Sequence, residues 1–266
     1  MKFTVLVENS NSCSFAGEHG LSLYIENKTK SYLLDVGQSS LFLENAKKLS
    51  LSLKNLDGVI CSHGHFDHGN GLPYFFEENK ENTVYASVNV FREYYSNSKG
   101  ILHYIGFVYG MEKYRDRFTL INQDTKIDGA VLILDSSHAE MGQKRGLFVY
   151  DGQEYIPDDL THELSLVFDD PRGLIVFNSC SHLGIENIVS HVEKVMHKKV
   201  FAYVGGLHLK SPLITEEEIL EIAHFINEHL DLVYTGHCTG SRAMEILCRI
   251  CKEKIMELKT GNTYVI

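Results

Sequence analysis

No stretch of this 266-residue chain is both long and apolar enough to span a bilayer, so a membrane-spanning helix is not expected. The opening residues, Met1-Lys2-Phe3-Thr4-Val5-Leu6-Val7-Glu8, lack the longer apolar segment and small-residue cleavage site of a secretory signal. They read as a first strand, and a cytoplasmic location is expected. Basic residues are few: 25 Lys and Arg against 35 Asp and Glu, a formal net charge of −10. Phosphate backbones attract basic surfaces, so neither nucleic acid nor membrane is expected as a partner. A disulfide framework is also missing. Cys13, Cys61, Cys180, Cys238, Cys248 and Cys251 follow no paired spacing and are expected as thiols. Cys248-Arg249-Ile250-Cys251 has no second pair and reads as two half-buried residues of a helix. There is no glycine-rich phosphate loop of the Walker type, no tandem repeat and no low-complexity segment.

What the chain does have is a dense cluster of metal-binding side chains. Ser62-His63-Gly64-His65-Phe66-Asp67-His68-Gly69 packs three imidazoles and a carboxylate into six positions, directly after the apolar run Gly58-Val59-Ile60-Cys61. Zinc, and also iron or manganese, takes such nitrogen and oxygen donors. In an extended backbone His63 and His65 point to the same side, because side chains alternate with period two. Asp67 and His68 then lie around the following turn and reach a second position. One short loop thus offers two ligands to each of two metals. The apolar strand before it and Gly69-Asn70-Gly71 after it argue against a merely polar surface loop.

Along the chain, strands alternate with helices. Strands are expected at 3–7, 21–26, 31–35, 58–61 and 83–86, and helices at about 39–49 and 71–78. In the second half, 164–168 and 173–178 read as a hairpin about Asp169-Asp170-Pro171-Arg172. Ile185, Ile188, Val189, Val192 and Val195 recur at helical spacing over 185–196. Val200–Val204 reads as a buried strand and Leu232–Thr235 as another. Thr215-Glu216-Glu217-Glu218 is a capping box for the helix between them. Strand, loop and histidine recur at His63, His182, His208 and His237, so strand ends gather histidines at one sheet edge. Two stretches break the pattern. Residues 91–117, rich in Tyr94, Tyr95, Tyr104, Phe107, Tyr109 and Tyr114, form an insertion that either walls a pocket and stacks on a planar substrate or packs on itself. Residues 135–160, with Ser136-Ser137-His138 and Lys144-Arg145, offer a second rim.

His63-x-His65-x-Asp67-His68 resembles the signature of the metallo-β-lactamase superfamily. The resemblance continues through Leu33-Leu34-Asp35-Val36-Gly37, Ser179-Cys180-Ser181-His182, Gly205-Gly206-Leu207-His208-Leu209 and Gly236-His237-Cys238-Thr239-Gly240. These blocks resemble one branch of that superfamily, most of whose members are called metal-dependent hydrolases. Some are described as the synthase joining a dihydropterin to a ribofuranosyl-aminobenzene phosphate. The resemblance implies an α/β (α+β) fold, a four-layer αββα sandwich forming a single domain over 1–266, with 91–117 as an insertion or cap.

It also implies two zinc ions per chain, with iron or manganese as alternatives. The first would take His63 and His65 with a third ligand ahead of a hairpin, where His162 stands. The second would take Asp67, His68 and His237. Many relatives carry Gly-Asp where this chain has Asn178-Ser179-Cys180-Ser181-His182, so the bridging carboxylate is missing and either His182 or Cys180 fills that corner. His208 is a further ligand or a donor to developing charge. Asp35 is expected behind a ligating imidazole, fixing its tautomer. His19, His103, His138, His191, His197, His224 and His229 have no comparable context.

The expected activity is hydrolysis of an ester or phosphoester by a metal-bound hydroxide. Asp67 and His208 are the catalytic candidates, and no serine nucleophile or organic cofactor is required. The substrate is a small molecule, and an anionic or phosphorylated one is compatible because bound cations set the local field. The alternatives are a transferase acting on a dihydropterin diphosphate, a noncatalytic metal-containing binding protein, and an iron-based electron-transfer or sensing protein. The last is disfavoured because the familiar diiron variant replaces the second motif histidine with glutamate.

Overall fold

The computed structural model describes residues 1–12, 14–98, 100–135 and 138–266. The expectations for Cys13, Ser136 and Ser137 lie outside the described residues. Two seven-stranded sheets form the frame. In the first, Thr263–Val265, Lys2–Val7, Ser22–Asn27, Lys30–Leu34, Gly58–Ile60, Val84–Ser87 and Phe118–Ile121 lie side by side in that order. In the second the order is Ile255–Glu257, Leu232–Thr235, Val200–Val204, Gly173–Phe177, Leu164–Asp170, Ala130–Leu134 and Thr125–Ile127.

Alternation along the strands decides the layers. Leu166, Phe168, Ile175, Phe177, Ala202 and Val204 turn inward and pack with Phe3, Val5, Leu23, Ile25 and Tyr32 of the first sheet. Their neighbours Val167, Leu174, Val176 and Tyr203 turn outward onto Ile188, Val192, Ile219, Ile222 and Leu247 of the covering helices. On the other flank Leu6, Leu33, Val59 and Cys61 face Phe42, Ala46, Leu72 and Phe75. The result is a four-layer αββα sandwich. Edge-to-face contacts at 5.6 Å between Phe3 and Phe177, and 5.1 Å between Tyr32 and Phe168, lock the two sheets together. Each such pair adds about 0.5–1.5 kcal/mol beyond its buried area.

The helices follow their sequence signals. Ile185–Met196 buries Ile185, Ile188, Val189 and Val192. Glu216–His229 starts at the expected capping box: the Glu218 amide donates to Thr215 Oγ1 at 3.2 Å, and the Thr215 amide donates to Glu218 Oε2 at 2.8 Å. No helix of the described chain is long and apolar enough to cross a membrane.

The parallel strands place the site. Lys30–Leu34, Gly58–Ile60 and Val84–Ser87 run parallel in the first sheet, as do Gly173–Phe177, Val200–Val204 and Leu232–Thr235 in the second. Parallel strands end at the same edge, and loops leaving their carboxyl ends converge there. Asp35, the His63 loop, the 178–182 loop, His208 and His237 all follow such ends.

The Tyr-rich stretch is not irregular. Glu93–Ser98 and Ile101–Tyr104 form a hairpin, and Leu147–Tyr150 with Tyr155–Pro157 extend it to a third, four-stranded sheet. Tyr95 packs against Tyr104 and Tyr155, Tyr104 stacks on Tyr109, and Tyr114 lies on Phe76. These rings pack on one another and on a flanking helix, and the strand Glu93–Ser98 finds its partner in Leu147–Tyr150, some fifty residues later.

Candidate metal centre

Around the Asp35 carboxylate four donors converge. It follows strand Lys30–Leu34 in a left-handed conformation, φ 57°. Its Oδ1 accepts the Ser62 amide at 2.7 Å, and its Oδ2 accepts Ser62 Oγ at 2.7 Å and Ser179 Oγ at 2.6 Å. His68 Nδ1 lies 2.7 Å from the same Oδ2. A carboxylate can only accept, so Nδ1 of His68 carries a proton and Nε2 is the nitrogen turned toward the centre. Ser62 Oγ has spent its hydrogen on Asp35, so His63 Nδ1, 2.8 Å away, must donate to it. His63 Nε2 is thereby left as a lone pair, buried and without a partner. At His237, Nδ1 donates to Asn9 Oδ1 at 2.9 Å and the amide donates to Glu8 Oε1 at 2.5 Å. Two imidazoles from the loop after Gly58–Ile60 and one from the end of Leu232–Thr235 thus have Nδ1 committed, and the Nε2 atoms of His68 and His237 meet at 3.1 Å.

The remaining groups close around it. His65 Nε2 is buried without a partner. His182 Nδ1 lies 3.0 Å from Glu163 Oε1, an ion-pair contact rather than an aligned hydrogen bond. Asp67 Oδ2 sits 3.4 Å from His237 Nε2 and 3.7 Å from His68 Nε2. Cys180 Sγ is 3.2 Å from His68 Nε2. Donor atoms fall within 4.8 Å of one another in the sets His63, His65, His182; His63, His68, Cys180; Cys180, His237, Cys238; and His19, Asp67, His237. The sets share members, so they adjoin.

Electrostatics prepare these groups for a cation. Burial, together with the charge of neighbouring imidazoles, holds His63, His65 and His237 well below the usual histidine range, so their lone pairs stay free. Burial also opposes charge on His68, but Asp67 and Asp35 outweigh it and lift it to about 9. Burial would raise the Cys238 thiol too, yet hydrogen bonds from Cys180 and His208 outweigh it and bring it down to about 5. Orphaned imidazole nitrogens, a carboxylate and two thiols are a donor set that suits zinc.

His162 falls with His65 and Asp158 in a further set whose donor atoms lie within 4.8 Å of one another. Its Nδ1 accepts the Gly64 amide at 2.9 Å and its Nε2 donates to Asp158 Oδ2 at 3.0 Å, so both ring nitrogens are committed. Tyr94 stacks on the ring with centroids 4.0 Å apart. His162 braces the loop that carries His63 and His65. His182 and Cys180 both face the centre from the corner where the sequence left them as alternatives. Cys61 lies beneath it, its thiol donating to the His63 carbonyl at 3.3 Å. His208, at φ 50°, packs its ring 4.6 Å from His182, and its Nδ1 has no partner.

Several participants carried no sequence signal. His19 Nε2 approaches Asp67 Oδ2 to 3.2 Å, although its context resembles no ligand block. Glu8 and Asn9, which hold His237, are marked only by following the first strand. Glu163 stands beside the residue that drew attention. Above the centre opens a cavity of about 670 Å³, with Asp67, His65, His182, His208 and His237 at its floor. Phe66, Ile105, Leu147 and Leu213, rather than the tyrosines of 91–117, supply its apolar wall.

A family model for the metallo-beta-lactamase superfamily matches residues 16–151, just over half of the chain. The chain belongs to the metallo-β-lactamase superfamily. Among curated relatives, an uncharacterized protein of Methanocaldococcus jannaschii is 27% identical over 92% of this chain and 93% of its own length. The same organism's 7,8-dihydropterin-6-methyl-4-(beta-D-ribofuranosyl)-aminobenzene-5'-phosphate synthase is 28% identical over 93% and 90%. The crystal structure of a metal-dependent hydrolase of the beta-lactamase superfamily superposes with a TM-score of 0.83 at 29% identity, covering 100% of this chain and 99% of the other. A diphosphatase of the PhnP family shares the fold alone, with a TM-score of 0.57 at 15% identity over 100% and 97% of the chains. These matches carry the superfamily assignment across the whole length of the chain and support an enzyme of metal-dependent hydrolase fold.

Proposed function

We propose that this chain hydrolyses an ester or phosphoester bond of a small molecule with two divalent ions, zinc foremost. His63, His65 and His182 would hold one, and Asp67, His68 and His237 the other, with Cys180 beside both. The observation that carries this reading is that His63, His68 and His237, each with Nδ1 set by an acceptor, belong to adjoining donor sets whose members His65, Asp67, His182 and His237 line one open cavity. A divalent ion bound there would lower the pKa of water toward neutrality and polarise the bond under attack.

The side chains divide the remaining work. Asp67 Oδ2 touches three imidazoles and faces the cavity, where it accepts a proton from the attacking water and fixes its direction. His208 stays neutral because burial lowers its pKa. Its unpartnered Nδ1 is therefore placed to donate a hydrogen bond to oxygen charge developing on the substrate. The reading is of a cytoplasmic enzyme, supported by the five described cysteines being free thiols. Nucleic acid and membrane are not among its proposed partners, in keeping with the acidic chain.

The synthase-named relative favours a second reading. In a transferase the same donors would grip a diphosphate leaving group. The test is turnover by zinc-loaded protein of bis(4-nitrophenyl) phosphate and 4-nitrophenyl esters, with His65→Ala as control. Hydrolysis abolished in His65→Ala supports the first reading. Pyrophosphate release that requires both a dihydropterin diphosphate and an aminobenzene acceptor supports the second. Ligand binding without turnover of either kind would mark a noncatalytic metal protein.

A further inference from the structure

Arg145 ends helix Ala139–Arg145 and precedes Gly146, whose left-handed φ of 72° turns the chain into strand Leu147–Tyr150. Its side chain is 9% exposed. Nη1 donates to the His208 carbonyl at 3.1 Å, while Nε is buried with no partner. Among the described residues no carboxylate lies within ion-pair distance of it, and nearby Glu218 is engaged by Lys144 at 2.5 Å. Taking a guanidinium out of water is costly unless its N–H donors are met, and its planar fork suits carboxylate and phosphate groups. Lys210, two residues beyond His208, is exposed, makes no ion pair among the described residues, and lines the same cavity as Arg145. The Cys238 thiol, Glu186 and Glu218 are the charges nearest the guanidinium, and none of them pairs with it directly. In a chain of net charge −10, Arg145 and Lys210 thus bring two cations without a direct ion pair to one cavity wall. Ser96, Asn97 and Ser211 add neutral polar groups to that cavity, and Phe66, Ile105, Leu147 and Leu213 face it with apolar surface.

We propose that Arg145 and Lys210 form an anion subsite that selects substrates carrying a phosphate monoester apart from the reacting bond. The inference rests on the hydrolase reading for the position of that bond at the cavity floor formed by His65, Asp67 and His237. The subsite itself is a matter of binding and stands apart from turnover. A tetrahedral dianion suits this pair because the guanidinium offers directed N–H donors and the ammonium a mobile point charge. The apolar wall would cover the organic body between the two ends. Because Arg145 also holds the His208 carbonyl, an anion on the guanidinium would meet the substrate on the same peptide that positions the His208 ring. Arg145 is thus a specificity-determining residue rather than a structural cap alone.

The test is calorimetric titration of zinc-loaded protein with ribose 5-phosphate and with ribose, on wild type, Arg145→Gln, Arg145→Lys and Lys210→Ala, with zinc content and melting temperature measured on each. The expected result is binding of ribose 5-phosphate but not ribose by wild type, weakened about tenfold or more in Arg145→Gln, as loss of a charge-assisted contact implies. Lys210→Ala should weaken it about threefold, and Arg145→Lys should recover part of the loss, because a point charge replaces the fork. Equal affinity in wild type and Arg145→Gln at unchanged zinc content would place the phosphate on the metals and overturn the subsite. So would the absence of wild-type binding at millimolar ribose 5-phosphate. Should Arg145→Gln fail to fold, an unweakened Lys210→Ala decides against it. A protein that hydrolyses nothing but shows this binding pattern would refute the hydrolase reading and leave the subsite intact.

Discussion

His68 Nε2 and His237 Nε2 face each other across 3.1 Å, from loops 169 residues apart in the chain. Each ring has its Nδ1 committed to an acceptor, Asp35 for His68 and Asn9 for His237. Two lone pairs cannot rest at that distance without a proton or a cation between them. Asp67 and Asp35 flank His68, so without a cation the proton belongs to His68, lifted to about 9.

Metal loading should therefore be proton-linked. Below about pH 9 a cation must displace the proton on His68, so affinity rises with pH by about tenfold per unit for the one proton released. His63, His65 and His237 lie well below 6.5 and add no slope above neutrality. The metal-free protein should show the converse. His68 has its pKa raised on folding, so its contribution to stability is full below 6.5 and is lost as pH rises through about 9. Competition with a chromophoric zinc chelator from pH 6 to 9.5 measures the first effect. A flat profile between 6.5 and 8.5 would show that His68 is not among the ligands.

Asp35→Asn should weaken zinc binding and the fold together. The carboxylate is buried and accepts Ser62 twice, Ser179 and His68. An amide group can replace only part of that acceptor capacity and loses the charge that sets the His68 tautomer. We expect about 10–100-fold loss of metal affinity and roughly 2–4 kcal/mol of destabilisation. Chelator competition and urea unfolding in the presence of EDTA separate the two. Wild-type zinc affinity in the variant would remove Asp35 from the site.

His162→Ala and His65→Ala should part company. His162 spends both nitrogens on Gly64 and Asp158 and stacks on Tyr94, so its loss empties a packed position and costs about 2–4 kcal/mol. Zinc stoichiometry should survive it. His65 presents an unpartnered Nε2 to the centre, and its removal should cost bound zinc with little loss of stability in the metal-free state. Zinc content by plasma emission, paired with melting curves in EDTA, reads both. Loss of one zinc in His162→Ala would restore it as a ligand.

Local pattern made much of this architecture legible. The boundaries of Ile185–Met196, Val200–Val204 and Leu232–Thr235 coincide with the reading from periodicity, because each is a single amphipathic or apolar unit. The motif after Gly58–Ile60 announced its own chemistry, since the donors are adjacent in sequence. The Tyr-rich stretch was opaque because Glu93–Ser98 acquires its partner only at Leu147–Tyr150, a pairing no local window contains. His19 and Asn9 approach the centre from the far end of the chain, 228 residues from His237 in the case of Asn9. His162 stands where a ligand would stand in sequence, and the Gly64 amide and the Asp158 carboxylate around its ring could not be read there.

Gly64, between the two motif histidines, lies where no side chain fits. A Cβ there would fall 2.4 Å from the Val90 carbonyl oxygen and 2.6 Å from the Tyr94 ring. Val90 is backbone, and Tyr94 is held by its stacking on His162 and by the bond from its hydroxyl to the Asn89 carbonyl at 2.5 Å. Neither can yield cheaply, so Gly64→Ala must push the loop itself toward the cavity. Overpacking of this kind costs about 1–3 kcal/mol. Because His63 and His65 ride on the displaced backbone, the variant should also lose the Gly64-to-His162 hydrogen bond and bind zinc at least about tenfold more weakly, as misplacement of a ligand loop implies. Calorimetric melting in EDTA reads the strain, and chelator competition reads the displacement. A variant that melts with wild type and holds zinc as tightly would mean that this loop is not pressed against the Tyr94 sheet.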